Sequence, residues 1–236
     1  MSEAGAASPG SRATRRQLWR WLGWFIAANT GLCCLIGLRY LLGYEWPDSW
    51  IGVLYAPAAM IGNFALLLAI GLTLTAGIAI AIWPQRRVAM AIAVLLAALV
   101  LALLVLDTIV FAERRMHLTL LVAVLFEPVT WIAAALVFAV ALLFESMLAG
   151  MIWRSLAARP RAGGRFLAAL LAGCWLGSQV AHIWADAIGF GPVTRFTQTI
   201  PLYYPQSAKR LLARAGLVDP ERVRQASLMR RGTRVE

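Results

Sequence analysis

From Val88 to Ala112 the chain reads VAMAIAVLLAALVLALLVLDTIVFA, 25 residues with a single charge, Asp107. A helix needs roughly 20 apolar residues to cross the hydrocarbon core of a bilayer, and a soluble core seldom uses so long a run without a polar side. The stretch predicts a transmembrane helix, with lipid as the solvent for much of the chain.

Four further runs have the same character: Leu18 to Leu42, Ala58 to Trp83, Trp131 to Trp153 and Phe166 to Ile188. Pro84 stops the second, and Gly189 to Pro192 ends the last, as residues that cannot extend a helix should. Leu118 to Phe126 is apolar but too short to span, which predicts an interfacial or re-entrant segment. Trp19, Trp21 and Trp24 stand where an aromatic belt would meet one membrane face, and the Gly43 to Trp50 loop carries Glu45, Asp48 and further tryptophans. The first run is too long for a signal peptide and lacks a small-residue cleavage site, so it is read as retained.

The expected fold is therefore all-α: a polytopic membrane protein with five transmembrane helices and an amphipathic linker helix after them. Residues 1–15, rich in Ser, Ala and Gly, form a disordered tail in this reading. Residues 16–192 form the membrane domain, and residues 193–236 a basic strap with short helices.

Composition agrees, with 61% apolar and 14% charged residues. The net charge of +11 is carried almost wholly by Arg, Lys209 being the one lysine. Nucleic-acid binding would need a basic face on a soluble domain, whereas these cations flank apolar spans, as topology signals and contacts to anionic headgroups do. Cys33, Cys34 and Cys174 all lie in apolar runs and have neither disulfide nor zinc spacing.

Loop cations give the orientation. Ten lie in the N-terminus, the Gln85 to Arg87 loop and the Arg154 to Arg165 loop, against three on the other side, Arg39, Arg114 and Arg115. The positive-inside rule puts the N-terminus in the cytoplasm, and five spans then leave the C-terminal tail in the periplasm. The nine cations of that tail pull the other way, but the rule constrains long segments less.

Ionisable groups inside spans are costly and mark sites or ion-paired locks. Depth along alternating spans brings Arg39, Asp107, His182 and Asp186 to the external side, and they are expected as one polar cluster, with a structural lock favoured over a headgroup site or proton relay. Glu145, on the opposite half of its span, either faces a Ser or Asn on another helix or carries a proton. Gly173 and Gly177 make a GxxxG pair suited to close helix approach. HExxH, GxSxG and GxxxxGK motifs are absent, and His117 and His182 are the two histidines, so neither a catalytic site, a metal nor a cofactor is expected.

Beyond Thr197 the sequence runs TQTIPLYYPQSAKRLLARAGLVDPERVRQ. Pro201 and Pro205 around two tyrosines predict an extended strap along the interface. Ser207 is placed to cap a short helix with Leu211, Leu212 and Ala215 on one side and Lys209, Arg210 and Arg214 on the other, ended by Gly216. A second basic helix is expected to begin at Asp219 and Pro220. Ser207, Lys209, Arg210 and Arg214 are the candidate contacts to lipid phosphate.

The runs SQVAHIWADAIGFGPVT and IPLYYPQSAKRLLARAGLVD, with RYLLGYEWP at Arg39 to Pro47, IGNF at Ile61 to Phe64 and LDTIVF before His117, resemble the YejM/PbgA inner-membrane family of Gram-negative bacteria over about Arg16 to Leu217. The resemblance implies five spans and a periplasmic tail. It also implies a sensor of lipopolysaccharide that acts through the LapB adaptor of the FtsH protease on the enzyme committing precursors to lipid A. Ser207, Ala208, Lys209 and Arg210 match the family's lipid A-contacting linker helix. Family members continue into a sulfatase-like periplasmic domain and this sequence stops at Glu236, so a short paralogue or truncated copy is expected. The resulting expectation is a non-enzymatic inner-membrane protein binding lipid A or cardiolipin and regulating envelope lipid homeostasis, with a LapB-like adaptor as partner. A lipid carrier or a membrane enzyme built on Asp107, His182 and Asp186 are the alternatives.

Overall fold

The computed structural model describes residues 9–42, 49–124, 126–158 and 163–216. Most of the Gly43 to Trp50 loop, with Glu45 and Asp48, and the tail helix expected at Asp219 lie outside these residues. Among the described residues the regular structure is helical throughout: α1 (Pro9–Leu42), α2 (Trp50–Leu72), α3 (Ile78–Ile82), α4 (Arg86–Arg114), α5 (Leu120–Val124), α6 (Pro128–Ala158), α7 (Gly164–Ile188), α8 (Gly191–Thr194) and α9 (Lys209–Arg214). A π-helical turn, Thr73–Gly77, joins α2 to α3, so Trp50–Ile82 is one continuous rod. Five helices are long and apolar enough to cross a membrane. The protein is an all-α polytopic membrane protein.

The helices outrun the sequence expectation at several ends. α1 begins at Pro9, inside the stretch read as tail, with a proline at the position where its missing N–H is no loss. The second rod starts at Trp50 and contains Pro57, which the apolar pattern had placed ahead of the span; in a membrane, neighbouring groups re-satisfy the backbone a proline frees. The far end of α7 closes as expected: Gly189 is left-handed at φ 72° and the Phe190 N–H reaches back to the Ala185 carbonyl, 2.8 Å away. That six-to-one bond is a Schellman closure, which favours glycine at this position.

The chain divides into two compact units, Met1–Ile36 with Ala65–Ala168, and Gly37–Phe64 with Ala169–Glu236. In the first, α4 packs along α6 and against the π-helical turn. The α4 face is lined by small residues, Ala89, Ala93, Ala97 and Ala98, all buried, which lets helices approach closely where lipid gives no hydrophobic drive. α1 buries Leu18, Trp21, Leu22, Phe25, Asn29 and Cys33, a three-and-four spacing that keeps them on one face. Trp21 is thereby removed from the belt expected of it: it is fully buried, and its indole N–H donates to the Ala149 carbonyl of α6 at 3.1 Å. A buried indole must find such an acceptor. Trp19 stays exposed, as do Trp50, Trp83 and Trp131 at or beside helix ends.

In the second unit the close approach is made by Gly62, not by the GxxxG pair. A Cβ on Gly62 would stand 2.5 Å from Trp175 Cα of α7, whereas nothing lies within 4 Å of a Cβ built on Gly173 or Gly177. Outward faces carry the apolar side chains a bilayer accepts, such as Leu136, Val140 and Met147 on α6 and Phe166, Leu170 and Val180 on α7.

Candidate functional site

The second unit builds a polar site from the last turns of α7, from α2 and from the segment beyond Thr199. On α7, Ser178, His182 and Asp186 succeed one another at intervals of four residues and are all buried. The chain after α8 folds back over them. Val193, Phe196, Thr199 and Ile200 are buried anchors, and a turn closed by the Tyr203 N–H on the Ile200 carbonyl puts Leu202 in the left-handed region at φ 54°.

Side chains of α2 hold this strap. Asn63 donates its amide to the Pro201 carbonyl at 3.0 Å. The hydroxyls of Tyr55 and Tyr203 meet at 3.0 Å, and the Tyr55 hydroxyl lies 3.3 Å from His182 Nδ1. Burial pushes the Tyr203 phenol above its ordinary range, so it stays protonated and able to donate. Further on, the Gln206 N–H donates to Gln179 Oε1 at 3.1 Å.

Asp186 closes the arrangement. The Ser207 hydroxyl donates to Asp186 Oδ2 at 2.5 Å, and Lys209 Nζ stands 3.1 Å from Oδ1. One carboxylate, 2% exposed, thus collects Ser207 and Lys209, the first residue of α9. Ser207 had been expected as the cap of that helix; it is the Ala208 carbonyl that accepts from Leu211 and Leu212, and the Ser207 hydroxyl is turned to Asp186. α9 ends as expected, with Gly216 left-handed at φ 69°. Arg214 and Leu211 are exposed; the side chain of Arg210 lies outside the described ones.

The four residues expected as one cluster fall into two units. Asp107 belongs to the first, where it accepts from His117 Nδ1 at 2.8 Å and from the backbone N–H of Leu118. His117 also stacks on Phe111, with centroids 4.8 Å apart. Asp107 therefore ties down the turn after α4, where Arg115 is left-handed at φ 55°, ahead of the short apolar α5. In the second unit His182 and Asp186 have the partners given above, and Arg39 is exposed. Partners ten or more residues away in sequence leave no periodic signal. For that reason the sequence pattern does not single out Tyr55, Asn63, Gln179 or Tyr203, although Tyr203 sits in the proline-bracketed strap.

These features define a class: a five-helix membrane domain whose last span is followed by a strap pinned to that span and a basic helix. A family described as a domain of unknown function, DUF3413, matches residues 9–234, and the chain belongs to that family. It is 30% identical over 215 residues to the inner membrane protein YejM of Salmonella typhimurium and of Salmonella typhi, covering 87% of this chain and 36% of each relative. An uncharacterized protein of Haemophilus influenzae is 26% identical over 218 residues with the same coverage. The chain thus corresponds to the N-terminal region of YejM-family proteins and spans 36% of the length of these relatives.

Proposed function

We propose that this chain is a non-enzymatic inner-membrane protein that binds phosphate-bearing anionic lipid, lipid A or cardiolipin, at the strap and the helix Lys209–Arg214, and regulates envelope lipid homeostasis. The observation carrying this reading is the attachment of Ser207 and Lys209 to Asp186 on the last span. It fixes the start of the basic helix beside a membrane-spanning helix. Lys209 uses its ammonium on Asp186 but retains three N–H donors in all, so a phosphate oxygen can be taken on the remaining ones. Arg214 is exposed, and a guanidinium suits bidentate phosphate contact. The resemblance to YejM-family proteins supports an inner-membrane location and extends the proposal to a protease adaptor of the LapB kind as partner.

The lipid test must spare the Asp186 attachment. Arg210→Glu with Arg214→Glu should weaken binding to vesicles containing lipid A or cardiolipin about tenfold or more, since each basic side chain near an anionic surface contributes about 1 kcal/mol. Arg230→Glu with Arg231→Glu is the comparison: attraction fades over a Debye length of about 8 Å at physiological salt, so a smaller loss is expected. Equal losses would reduce the tail to a diffuse polycation, and no loss from either pair would end the lipid reading. In the proposed orientation a reporter fused after Glu236 is active in the periplasm and one fused at Arg161 only in the cytoplasm; activity of both in the cytoplasm would overturn it.

A further inference from the structure

A second buried acid lies in the first unit. Glu145 is fully buried on α6, on a stripe with Ala141, Ala149 and Ile152. Its Oε2 accepts from Asn29 Nδ2 of α1 at 3.1 Å, and the same amide nitrogen donates to the Phe25 carbonyl at 3.1 Å. A backbone carbonyl can only accept, so the amide nitrogen is fixed on that side and the flipped orientation is excluded. Both amide hydrogens are thereby used. Two oxygens remain, Glu145 Oε1 and Asn29 Oδ1, each buried and each without a hydrogen-bond partner among the described residues.

An ionised Glu145 makes both of these oxygens acceptors, and neither can help the other. A buried polar atom left unpaired is destabilising, and more so when it is charged. Among the described residues no cation stands within ion-pair distance of Glu145. Cys33, a neutral thiol, is the ionisable side chain of α1 that is coupled to the acid. The α4 segment packed on α6 has no titratable residue between Arg87 and Asp107, and α6 has no other between its first residue and Arg154. A single proton on Oε1 removes both defects: it neutralises the acid and converts Oε1 into a donor, for which Asn29 Oδ1 is the free acceptor.

We propose that Glu145 is a proton-binding site, occupied in the folded protein, and that the acid and Asn29 form a reciprocal acid–amide pair clasping α1 to α6. The bond from Trp21 to Ala149, one helical turn along α6, is the second clasp of the same antiparallel pair. This inference is independent of the lipid reading.

Infrared spectra of the detergent-solubilised protein at neutral pH test it. The wild type should show a carboxylic-acid carbonyl band that Glu145→Gln removes. Asn29→Leu should shift that band to higher frequency, because the acid loses its acceptor. Thermal unfolding adds a third reading: the melting temperature of the wild type should fall as pH rises and strips the proton, while Glu145→Gln, a permanent mimic of the protonated acid, should be flat over the same range. Absence of the band, as an ionised acid solvated by a trapped water would give, overturns the proposal. So does a band unmoved by Asn29→Leu, or the same pH slope in both proteins. Should the Gln variant not be recovered, the Asn29→Leu shift makes the assignment by itself.

Discussion

Glu145 and Asp186 are both carboxyl groups on membrane-spanning helices and both all but inaccessible, at 0% and 2% exposure, yet they are accommodated in opposite ways. Asp186 stands near the end of α7, where a basic strap returns to it, and it receives an ammonium and a hydroxyl. Glu145 lies in the middle of α6 and meets one neutral amide. The difference follows from position along the helix. Countercharges are carried by loops, and a side chain from a loop reaches the last turns of a span but not its centre, so a central acid must be satisfied by neighbouring helices. At the helix end a charge can be kept and used to attach another segment.

Breaking the Asp186 side of this contrast should give the largest effect. Asp186→Ala leaves Lys209 and Ser207 without their acceptor, and loss of one member of a buried ion pair costs about 3 kcal/mol. Thermal unfolding in detergent should show this against Glu113→Ala, an exposed acid at the end of α4, which should be near neutral. Equal melting temperatures for the two variants would mean that the strap is not held by Asp186.

A smaller loss is expected from Gly62→Ala. The added methyl would meet the Trp175 backbone at 2.5 Å, which cannot swing aside as a side chain can. Overpacking of this kind costs about 1–3 kcal/mol. Gly173→Ala is the matched case and should be neutral or slightly stabilising, because its Cβ meets nothing and alanine favours helix. A reversed order would return the close contact to the GxxxG pair.

The smallest effect concerns the strap alone. Tyr203→Phe removes the hydroxyl that meets Tyr55 and should cost about 1 kcal/mol. Because burial raises the Tyr203 phenol, the folded state holds its proton more tightly than the unfolded chain does. The stability this contributes is complete below the ordinary tyrosine range and is lost as pH climbs through the folded value. Wild-type protein should therefore lose more stability on going to alkaline pH than Tyr203→Phe; identical slopes would place the phenol in solvent.

Sequence alone determined the five spans, because crossing a bilayer is a local requirement on length and polarity that each segment meets by itself. It determined the closures at Gly189 and Gly216 as well, since a left-handed residue just past a helix favours glycine on local grounds. It also marked Asp107, Glu145, His182 and Asp186 as residues needing explanation, by the rarity of such groups in apolar runs. Their partners were decided only by tertiary structure. Asp107 took His117 from the turn after its own helix, Asp186 took Ser207 and Lys209 from the strap, and Glu145 took Asn29 from α1. The inward turn of Trp21 and the close approach at Gly62 belong to the same class. Periodicity says which side of a helix is polar or small, but which helix or loop arrives there depends on packing between segments far apart in the chain.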